Sequence, residues 1–419
     1  MRFAVTTLGC KANQFDTGTI TDILCRHGFK HVEHGERADV CIINTCCVTA
    51  ESVRKSRQAI RKMKKSEPNA LIAVCGCSIK LDSNDVQSIG IDLTGGTDDR
   101  EEFAKRIIKT VGATTLDRPR NQATSLPTSR TRALLKIQDG CDNHCTYCII
   151  PHVRGKSQSM PLDEMAEKAR SLQEEGYKEI VITGIEISSW QSKKIVALPL
   201  LLEAITTISK AAPKARLRLG SLDPQILSED FIFEMSKIPN LCNHFHISLQ
   251  SGCDEILKRM GRRYNTAQVR EAIKSLRSNI PDCAVTADLI VGFPGETDEE
   301  FDKTIEFIQK AAFSDMHIFP YSIRPGTAAE TMPGQLDKSI KQKRALAAKQ
   351  AAEQMKLEFM KSQIAKTVTV LFEEKKGNYS IGHSSNYMKI ATHDNIAKNT
   401  LKNVKIVSTK DGLLLGEIV

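Results

Sequence analysis

The apolar positions of this chain switch repeatedly between the short runs of a strand and the 3.6-residue recurrence of a helix. Phe3 to Leu8, Val40 to Asn44 and Leu71 to Val74 read as strands. Helical patterns from about Phe15 to His27 and Thr49 to Lys65 lie between them. Strands that alternate with helices predict a parallel sheet with crossover helices. The alternation resumes with strand candidates at Ala133–Ile137, Glu179–Thr183, Arg216–Gly220, His244–Leu249, Val285–Val291 and Met316–Tyr321. Helices are expected at Leu162–Glu175, Leu198–Lys210, Ala267–Ser278 and Asp298–Ala312. Six βα units in succession predict a curved, partly closed barrel whose site lies at the C-terminal ends of its strands.

Two stretches break this rhythm. Residues 112–130 are rich in turn formers and polar groups and read as a linker. Leu336 to Ile364 is charged, alanine-rich and free of glycine and proline, which predicts one long helix leading out of the barrel. Beyond it Thr367–Phe372, Tyr387–Ala391, Lys405–Ser408 and Leu413–Ile418 are short strands with turn residues between them, a small all-β barrel. The fold class is therefore α/β: an N-terminal parallel-sheet domain over 1–111, the linker, a partial (β/α)6 barrel over 131–335, a connecting helix over 336–364 and a β-barrel over 365–419.

Composition narrows the setting. A chain of 419 residues is too long for one ordinary domain. No run of 18 apolar residues occurs, so no membrane span is expected, and a cytoplasmic location follows. The net charge of +9 fits a nucleic-acid partner without requiring one. Thirteen cysteines in a chain this size do not suggest disulfide staples in a reducing compartment, so metal ligation, catalysis and packing remain.

The strongest chemical signal is Gly140-Cys141-Asp142-Asn143-His144-Cys145-Thr146-Tyr147-Cys148, directly after the first barrel strand. Cys141, Cys145 and Cys148 form a CxxxCxxC triplet that can wrap three irons of a [4Fe–4S] cube. The usual complement is four thiolates. Three leave one iron open, as in a catalytic rather than a structural metal site. An open iron can chelate the amino and carboxylate groups of S-adenosylmethionine (SAM), and a reduced cluster can then split the sulfonium into methionine and a 5′-deoxyadenosyl radical. A second set is dispersed: Cys10 follows the first N-terminal strand, Cys46 the second, and Cys75 or Cys77 the third. Parallel strands bring such ends to one edge. Cys75 falls in the strand end, while Cys77 follows Gly76 in the loop, where a ligand belongs. Cys25, Cys41, Cys47, Cys242, Cys253 and Cys283 read as packing residues.

These constellations, with Thr7 to Gln14, Ile43 to Cys46, Gly76-Cys77, Ile247 to Gly252, Asp288 to Glu296 and Arg324 to Thr327, resemble the radical SAM methylthiotransferase family over nearly the whole chain. The resemblance implies an N-terminal cluster domain, a radical SAM barrel and a C-terminal TRAM domain. It favours Cys77 over Cys75 and implies two [4Fe–4S] clusters, the N-terminal one carrying or supplying sulfur. SAM would be both methyl donor and radical source. It also implies an electron-donor protein and a sulfur source as partners. LGCKANQ and NTCCVTAES look like the branch that modifies threonylcarbamoyl-adenosine in tRNA. The other branches act on isopentenyl-adenosine in tRNA or on a ribosomal-protein aspartate, and a non-catalytic iron–sulfur RNA-binding regulator is the rival of another class. Ser78-Ile79-Lys80 after Cys77 departs from the family's pattern.

Further residues carry weaker expectations. Tyr147, Gly184, Glu186, Gln250 and Asp288 are candidate SAM contacts: Tyr147 through its backbone near the adenine, Gly184 and Glu186 at the amino group, and Gln250 and Asp288 as polar groups on barrel strands. Ser251 is a candidate SAM or substrate contact. Glu296 is expected near a helix N-terminus. Arg324 is suited to a phosphate or carboxylate. Arg54, Lys55, Arg57, Arg61, Lys62, Lys64 and Lys65 are a candidate tRNA-backbone track. The terminal module offers lysines, with Tyr379 and Tyr387 for base stacking. Nothing in the sequence assigns Trp190.

Overall fold

The computed structural model describes residues 1–33, 35–81, 89–112, 131–191 and 199–419. The expected linker at 112–130 thus lies, apart from Gly112, outside the described residues. The chain forms two compact units. One comprises 1–127, 139–157 and 322–330, and the other 128–138, 158–321 and 331–419.

The first unit is built on a five-stranded, all-parallel sheet. Its spatial order is Lys30–His31, Arg2–Thr7, Val40–Thr45, Leu71–Gly76, Leu93–Thr94. The central strand Val40–Thr45 is buried throughout. Val40 and Ile42 pack with Phe3, Ile20 and Phe103 on one face, and Cys41 and Ile43 with Ile60 and Val74 on the other. Such two-sided burial is why the strand reads as an unbroken apolar run. The helix Ala50–Ser66 starts where sequence placed it. Thr49 Oγ1 accepts from the Ser52 amide at 3.1 Å, and Ser52 Oγ accepts from the Thr49 amide at 2.9 Å. The first helix, Lys11–Arg26, begins four residues before the expected start.

The second unit holds the barrel strands, seven among the described residues because Gly220 splits the third into two. Arg132–Lys136, Glu179–Thr183 and Arg216–Leu219 form one parallel sheet. Ser221–Leu222, His244–Gln250, Ala284–Val291 and Asp315–Pro320 form the next. Gly220 links the two, and an isolated Leu217–Leu241 bridge lies beside the link. Among the described residues the first and last strands each pair on one side only, so the barrel is open as expected. Leu217, Leu219, Phe245, Ile247, Leu249, Val285 and Ala287 enter the main core. The alternate residues, Arg216, Arg218, His244, His246, Thr286 and Asp288, point to the other side, as strand geometry requires. Trp190 is a core residue, its indole Nε1 donating to the Met160 carbonyl at 3.0 Å.

The long helix, Lys338–Ser362, does not simply lead away. Ala345, Ala348, Ala352 and Met355 join the barrel core. Arg344 Nη1 reaches Glu296 Oε2 at 2.7 Å. Glu296 lies directly before Thr297, the N-cap of the helix Asp298–Ala311, as expected; it is also buried and accepts from the Gly292 amide at 2.6 Å.

The C-terminal segment closes into a five-stranded barrel of Thr367–Lys376, Tyr379–Ser384, Lys389–Thr392, Thr400–Lys410 and Leu413–Ile418. Tyr387 is not in a strand. It sits half-buried in the turn between Ser384 and Lys389 at φ 67°. Its ring lies 4.6 Å from Arg218 Cζ, 5.1 Å from Arg132 Cζ and 4.9 Å from the His244 and His383 ring centroids. Arg218 also donates to the carbonyls of Ser385 at 2.8 Å and Ser384 at 3.1 Å, and Arg216 to that of His383 at 2.8 Å.

Glu179 anchors this junction. It is wholly buried and binds Arg218 Nε at 2.7 Å and Nη2 at 3.1 Å, and Arg216 Nε as well. Burial alone would raise its pKa, but Arg218, Arg216 and Arg132 overcome that and hold it at about 2. Glu179→Ala leaves two buried guanidiniums without their carboxylate, a loss of about 3–5 kcal/mol. Thermal unfolding of the variant should show a clearly lowered midpoint with the far-UV spectrum retained. An unchanged midpoint would contradict this account of the junction.

Candidate functional site

The parallel sheet of the first unit delivers its cysteines by register. Thr7 pairs with Asn44 and Thr45 with Gly76, so Cys46 and Cys77 follow directly from paired positions and Cys10 lies three residues past its own strand. The fit is tight. Gly9 has φ +99°, and a Cβ there would lie 2.8 Å from Cys46 Cβ and 2.9 Å from Cys46 Sγ. Only glycine lets the Cys10 loop pass so close to the Cys46 thiol. Asn13 fastens the edge: Nδ2 donates to the carbonyls of Leu8 at 2.8 Å and Thr45 at 2.9 Å, and Oδ1 lies 3.9 Å from Cys77 Sγ. Cys10 is exposed, while Cys46 and Cys77 are buried.

The structure separates the two alternatives at the third strand. Cys75 points into the apolar core with Phe3, Ile20 and Phe103, and burial pushes its thiol up to about 12. Cys77 opens the short helix Cys77–Leu81 rather than lying in a loop. Its pKa is lowered because Cys47 donates to it and Arg154 lies beside it, against the effect of burial. Cys47 packs as expected, fully buried with Cys77, Ile149 and Val153. Cys41, Cys242, Cys253 and Cys283 are buried as expected, and Cys25 is half-buried. Three thiols meeting at one rim, with a glycine cradle beneath, suit an iron–sulfur cube held by three ligands.

The triplet Cys141, Cys145 and Cys148 belongs to the same compact unit. All three are half-buried, as is Tyr147 between them. The loop turns at Gly140, φ +68°, where a Cβ would collide with the Lys156 carbonyl. It is held by the Cys141 amide donating to the Gly155 carbonyl at 3.1 Å and the Cys148 amide to that of Cys145 at 3.0 Å. The Asn143 amide points at Cys141 Sγ, 3.4 Å away. Such a loop, turned back on itself and donating to a ligand sulfur, suits a thiolate-held cube.

Sequence reasoning missed the side chain that ties these two parts together. Arg154 ends the helix Ile150–Arg154, and its side chain is fully buried. It binds Asp139 Oδ1 at 2.7 Å, Asp16 Oδ2 at 3.0 Å and Asn13 Oδ1 at 2.6 Å. Arg100 binds the same Asp16 oxygen at 3.0 Å. Burial opposes the charge on Arg154, but Cys77, Asp139, Asp16 and Cys10 outweigh it and raise its pKa. No local periodicity signals an arginine whose partners lie 138 and 141 residues away. Arg324 is buried and donates through Nη1 to the Cys47 carbonyl at 3.2 Å.

The remaining candidates lie at the strand ends of the second unit. Gly184 is required by backbone proximity: a Cβ would sit 2.8 Å from the Gln138 carbonyl. Gln138 Oε1 accepts from the amides of Ile185 at 3.1 Å and Glu186 at 2.8 Å, which shapes that turn. Glu186 is buried and accepts from the Ser188 amide at 3.2 Å. Burial, then the nearby Asp223, raise its pKa to about 7. Gln250 ends its strand at φ 65°, a conformation non-glycine residues adopt at a cost and often at functional sites. Ser251 is fully buried within hydrogen-bond reach of Thr304 and the Cys253 amide, a structural role. Asp288 is held by two imidazoles, His246 Nε2 at 3.3 Å and His317 Nδ1 at 3.1 Å. These outweigh its burial and lower its pKa. Sequence reading named the aspartate and missed both histidines, which face it from the adjoining strands.

On the candidate RNA-contact groups, Arg54, Lys55, Arg61, Lys62, Lys64 and Lys65 are exposed and Arg57 is half-buried. Glu51 pairs with Arg54 at 2.6 Å and with Lys55 at 3.8 Å. In the C-terminal barrel Tyr379 keeps a half-exposed ring, 4.4 Å from that of His393. Among the described residues no helix is long and apolar enough to cross a membrane.

Comparison with known proteins places this geometry. Residues 135–308 match the radical SAM superfamily, and residues 2–94 match the uncharacterized protein family UPF0004. The chain is 35% identical to threonylcarbamoyladenosine tRNA methylthiotransferase MtaB of Bacillus subtilis, over 96% of this chain and 92% of that one. It is 33% identical to the protein of the same name from Thermotoga maritima, over 99% and 98%. A tRNA-2-methylthio-N(6)-dimethylallyladenosine synthase from Thermoanaerobacter is 31% identical over 100% and 92%. The cobalamin- and [4Fe–4S]-bound radical SAM methyltransferase TsrM of Kitasatospora setae shares the fold, with a TM-score of 0.57 at 15% identity over 78% of this chain and 77% of that one.

The Glu186 carboxyl gives a test of the strand-end environment. With a folded pKa near 7, above its ordinary 4.5, it binds a proton in the fold that the unfolded chain has released. Its contribution is present below about pH 4.5 and is lost as pH rises through 7. Glu186→Gln should therefore raise the melting temperature at pH 8 relative to the parent and leave it nearly unchanged at pH 5. Equal differences at both pH values would contradict a buried, raised carboxyl.

Proposed function

Because the chain belongs to the radical SAM methylthiotransferase family, we propose that it adds a methylthio group to C2 of N6-threonylcarbamoyladenosine beside the anticodon of tRNA. The observation that carries this reading is the meeting of one cysteine from each of three parallel strand ends at a glycine-cradled rim, in the same compact unit as the CxxxCxxC loop. When bound, two [4Fe–4S] clusters and SAM supply the electron, the methyl group, the radical and the sulfur relay. The residues then divide the work. Cys141, Cys145 and Cys148 hold the cluster that engages SAM, and three thiolates rather than four keep a position open there. Cys10, Cys46 and Cys77 hold the cluster that relays sulfur.

Tyr147, Gly184, Glu186, Gln250 and Asp288 are our candidates for holding SAM. Glu186 and the Gly184 turn are placed for its amino group, and Gln250 and Asp288 offer polar groups on the barrel strands. The three-part division into cluster domain (1–111), radical SAM barrel (131–335) and TRAM-like module (365–419) follows the same assignment. The exposed basic groups of the Ala50–Ser66 helix and the Tyr379–His393 pair are the proposed RNA contacts, through phosphate charge and base stacking. An electron-donor protein and a sulfur source complete the system in the cytoplasm.

Nucleosides from a strain lacking the gene, analysed by mass, should lose 2-methylthio-threonylcarbamoyladenosine and regain it on complementation. Loss of 2-methylthio-isopentenyladenosine instead would move the substrate to the neighbouring branch, and loss of neither would remove tRNA as substrate. In the reconstituted enzyme, replacing Cys141, Cys145 and Cys148 by Ala should abolish SAM cleavage. Replacing Cys10, Cys46 and Cys77 should spare SAM cleavage and abolish the methylthio product, with iron falling from about eight to about four per chain in either case. Full methylthio product from the N-terminal triple variant would contradict the sulfur-relay role.

A further inference from the structure

We propose that Arg154 is a positioning residue that serves both cysteine triads: it fixes the CxxxCxxC loop to the N-terminal rim and sets the charge felt by the cluster at Cys10, Cys46 and Cys77. The inference rests on the two-cluster reading above and adds to it a residue that neither the thiol pattern nor the SAM candidates contain.

The geometry is specific. One arm of the guanidinium, Nη1, grips Asp139 at 2.7 and 2.9 Å. Asp139 also accepts from the Gly140 amide at 2.8 Å, directly before Cys141. The other arm, Nη2, donates to Asn13 Oδ1 at 2.6 Å and Asp16 Oδ2 at 3.0 Å. Asn13 stands three residues after Cys10, bonds the carbonyl that precedes Cys46, and lies 3.9 Å from Cys77 Sγ. One planar side chain therefore bonds the aspartate two residues before the first triplet cysteine and the asparagine that fastens all three N-terminal ones. Its neighbours Ile149 and Val153 pack against Cys47 and Cys77. A lysine could supply charge here but not two opposed arms.

The charge count explains why a cation is placed there. Arg154 and Arg100 face Asp16 and Asp139, so this ion centre is balanced before any thiolate is counted. Cys77 and Cys10 are the further charged neighbours of Arg154. A buried guanidinium beside thiolate ligands favours the more negative, reduced state of a cluster, because cluster potential follows local charge and dielectric. Removing the cation should therefore drive the potential down, and removing the anion that faces it should drive it up. A residue that merely ties two loops together would not give shifts of opposite sign.

The test uses the full-length chain with Cys141, Cys145 and Cys148 replaced by Ala, so that one cluster remains, reconstituted anaerobically and titrated by EPR-monitored reduction. Arg154→Gln should shift the midpoint to a more negative potential at unchanged iron content. Arg154→Lys should stay near the parent, and Asp139→Asn should move to a more positive potential. If Arg154→Gln does not take up iron, a positive shift in Asp139→Asn with Arg154→Lys near the parent upholds the proposal, and an unmoved or more negative Asp139→Asn overturns it. Potentials that do not move, or that move in the same direction for the Arg154 and Asp139 variants, would overturn the proposal and leave the two-cluster reading standing. Absence of any cluster in the parent background would overturn that reading itself, and this proposal with it.

Discussion

A parallel sheet sends every strand's C-terminal end to the same edge, and the chemistry of this protein is arranged around that constraint. In the N-terminal sheet it brings together thiols that are 36 and 31 residues apart in sequence. Closeness then has to be permitted locally, which is the task of Gly9. It also has to be held, which falls to Asn13 through its bonds to Leu8 and Thr45. The cysteines need no mutual bond to meet. Register and one amide side chain are enough.

Two buried ion centres then solve different problems with similar chemistry. At Glu179 a carboxylate is desolvated among arginines and stays ionised because they overcompensate for its burial. At Arg154 the roles are reversed, and a guanidinium is desolvated among carboxylates and thiols. Buried pairs of this kind are poor sources of net stability but strict about geometry, since a misplaced partner leaves an uncompensated charge. Each occurs where segments distant in sequence have to be held in one arrangement. Apolar packing would tolerate small slips there.

Much of this was legible in the sequence, and what was not has a common cause. The strand and helix alternation, the Glu179–Thr183 strand to the residue, the CxxxCxxC loop and the terminal β-barrel all follow from local period and spacing. The preference for Cys77 over Cys75 was also available, although the short helix at Cys77 was not. Arg154, His246 and His317 escaped because their significance lies in partners on other strands or far along the chain. Tyr387 was misread for the same reason. A tyrosine in a basic β module looks like a stacking platform, and only the fold reveals that arginines and histidines already occupy its faces. The helix at Lys338–Ser362 was found but its use was not. Its small alanines, which read as helix formers, are also what lets it lie against the barrel.

The Tyr387 junction has a consequence for how this architecture can diversify. A terminal β-barrel joined by a plain tether could be exchanged like a cassette. Here carbonyls of His383, Ser384 and Ser385 are acceptors for Arg216 and Arg218, so the (β/α) barrel is electrostatically incomplete without it. Module and barrel must therefore drift together, and a graft from a distant relative would have to bring a matching arginine pair. The appendage is thereby part of the enzyme's foundation.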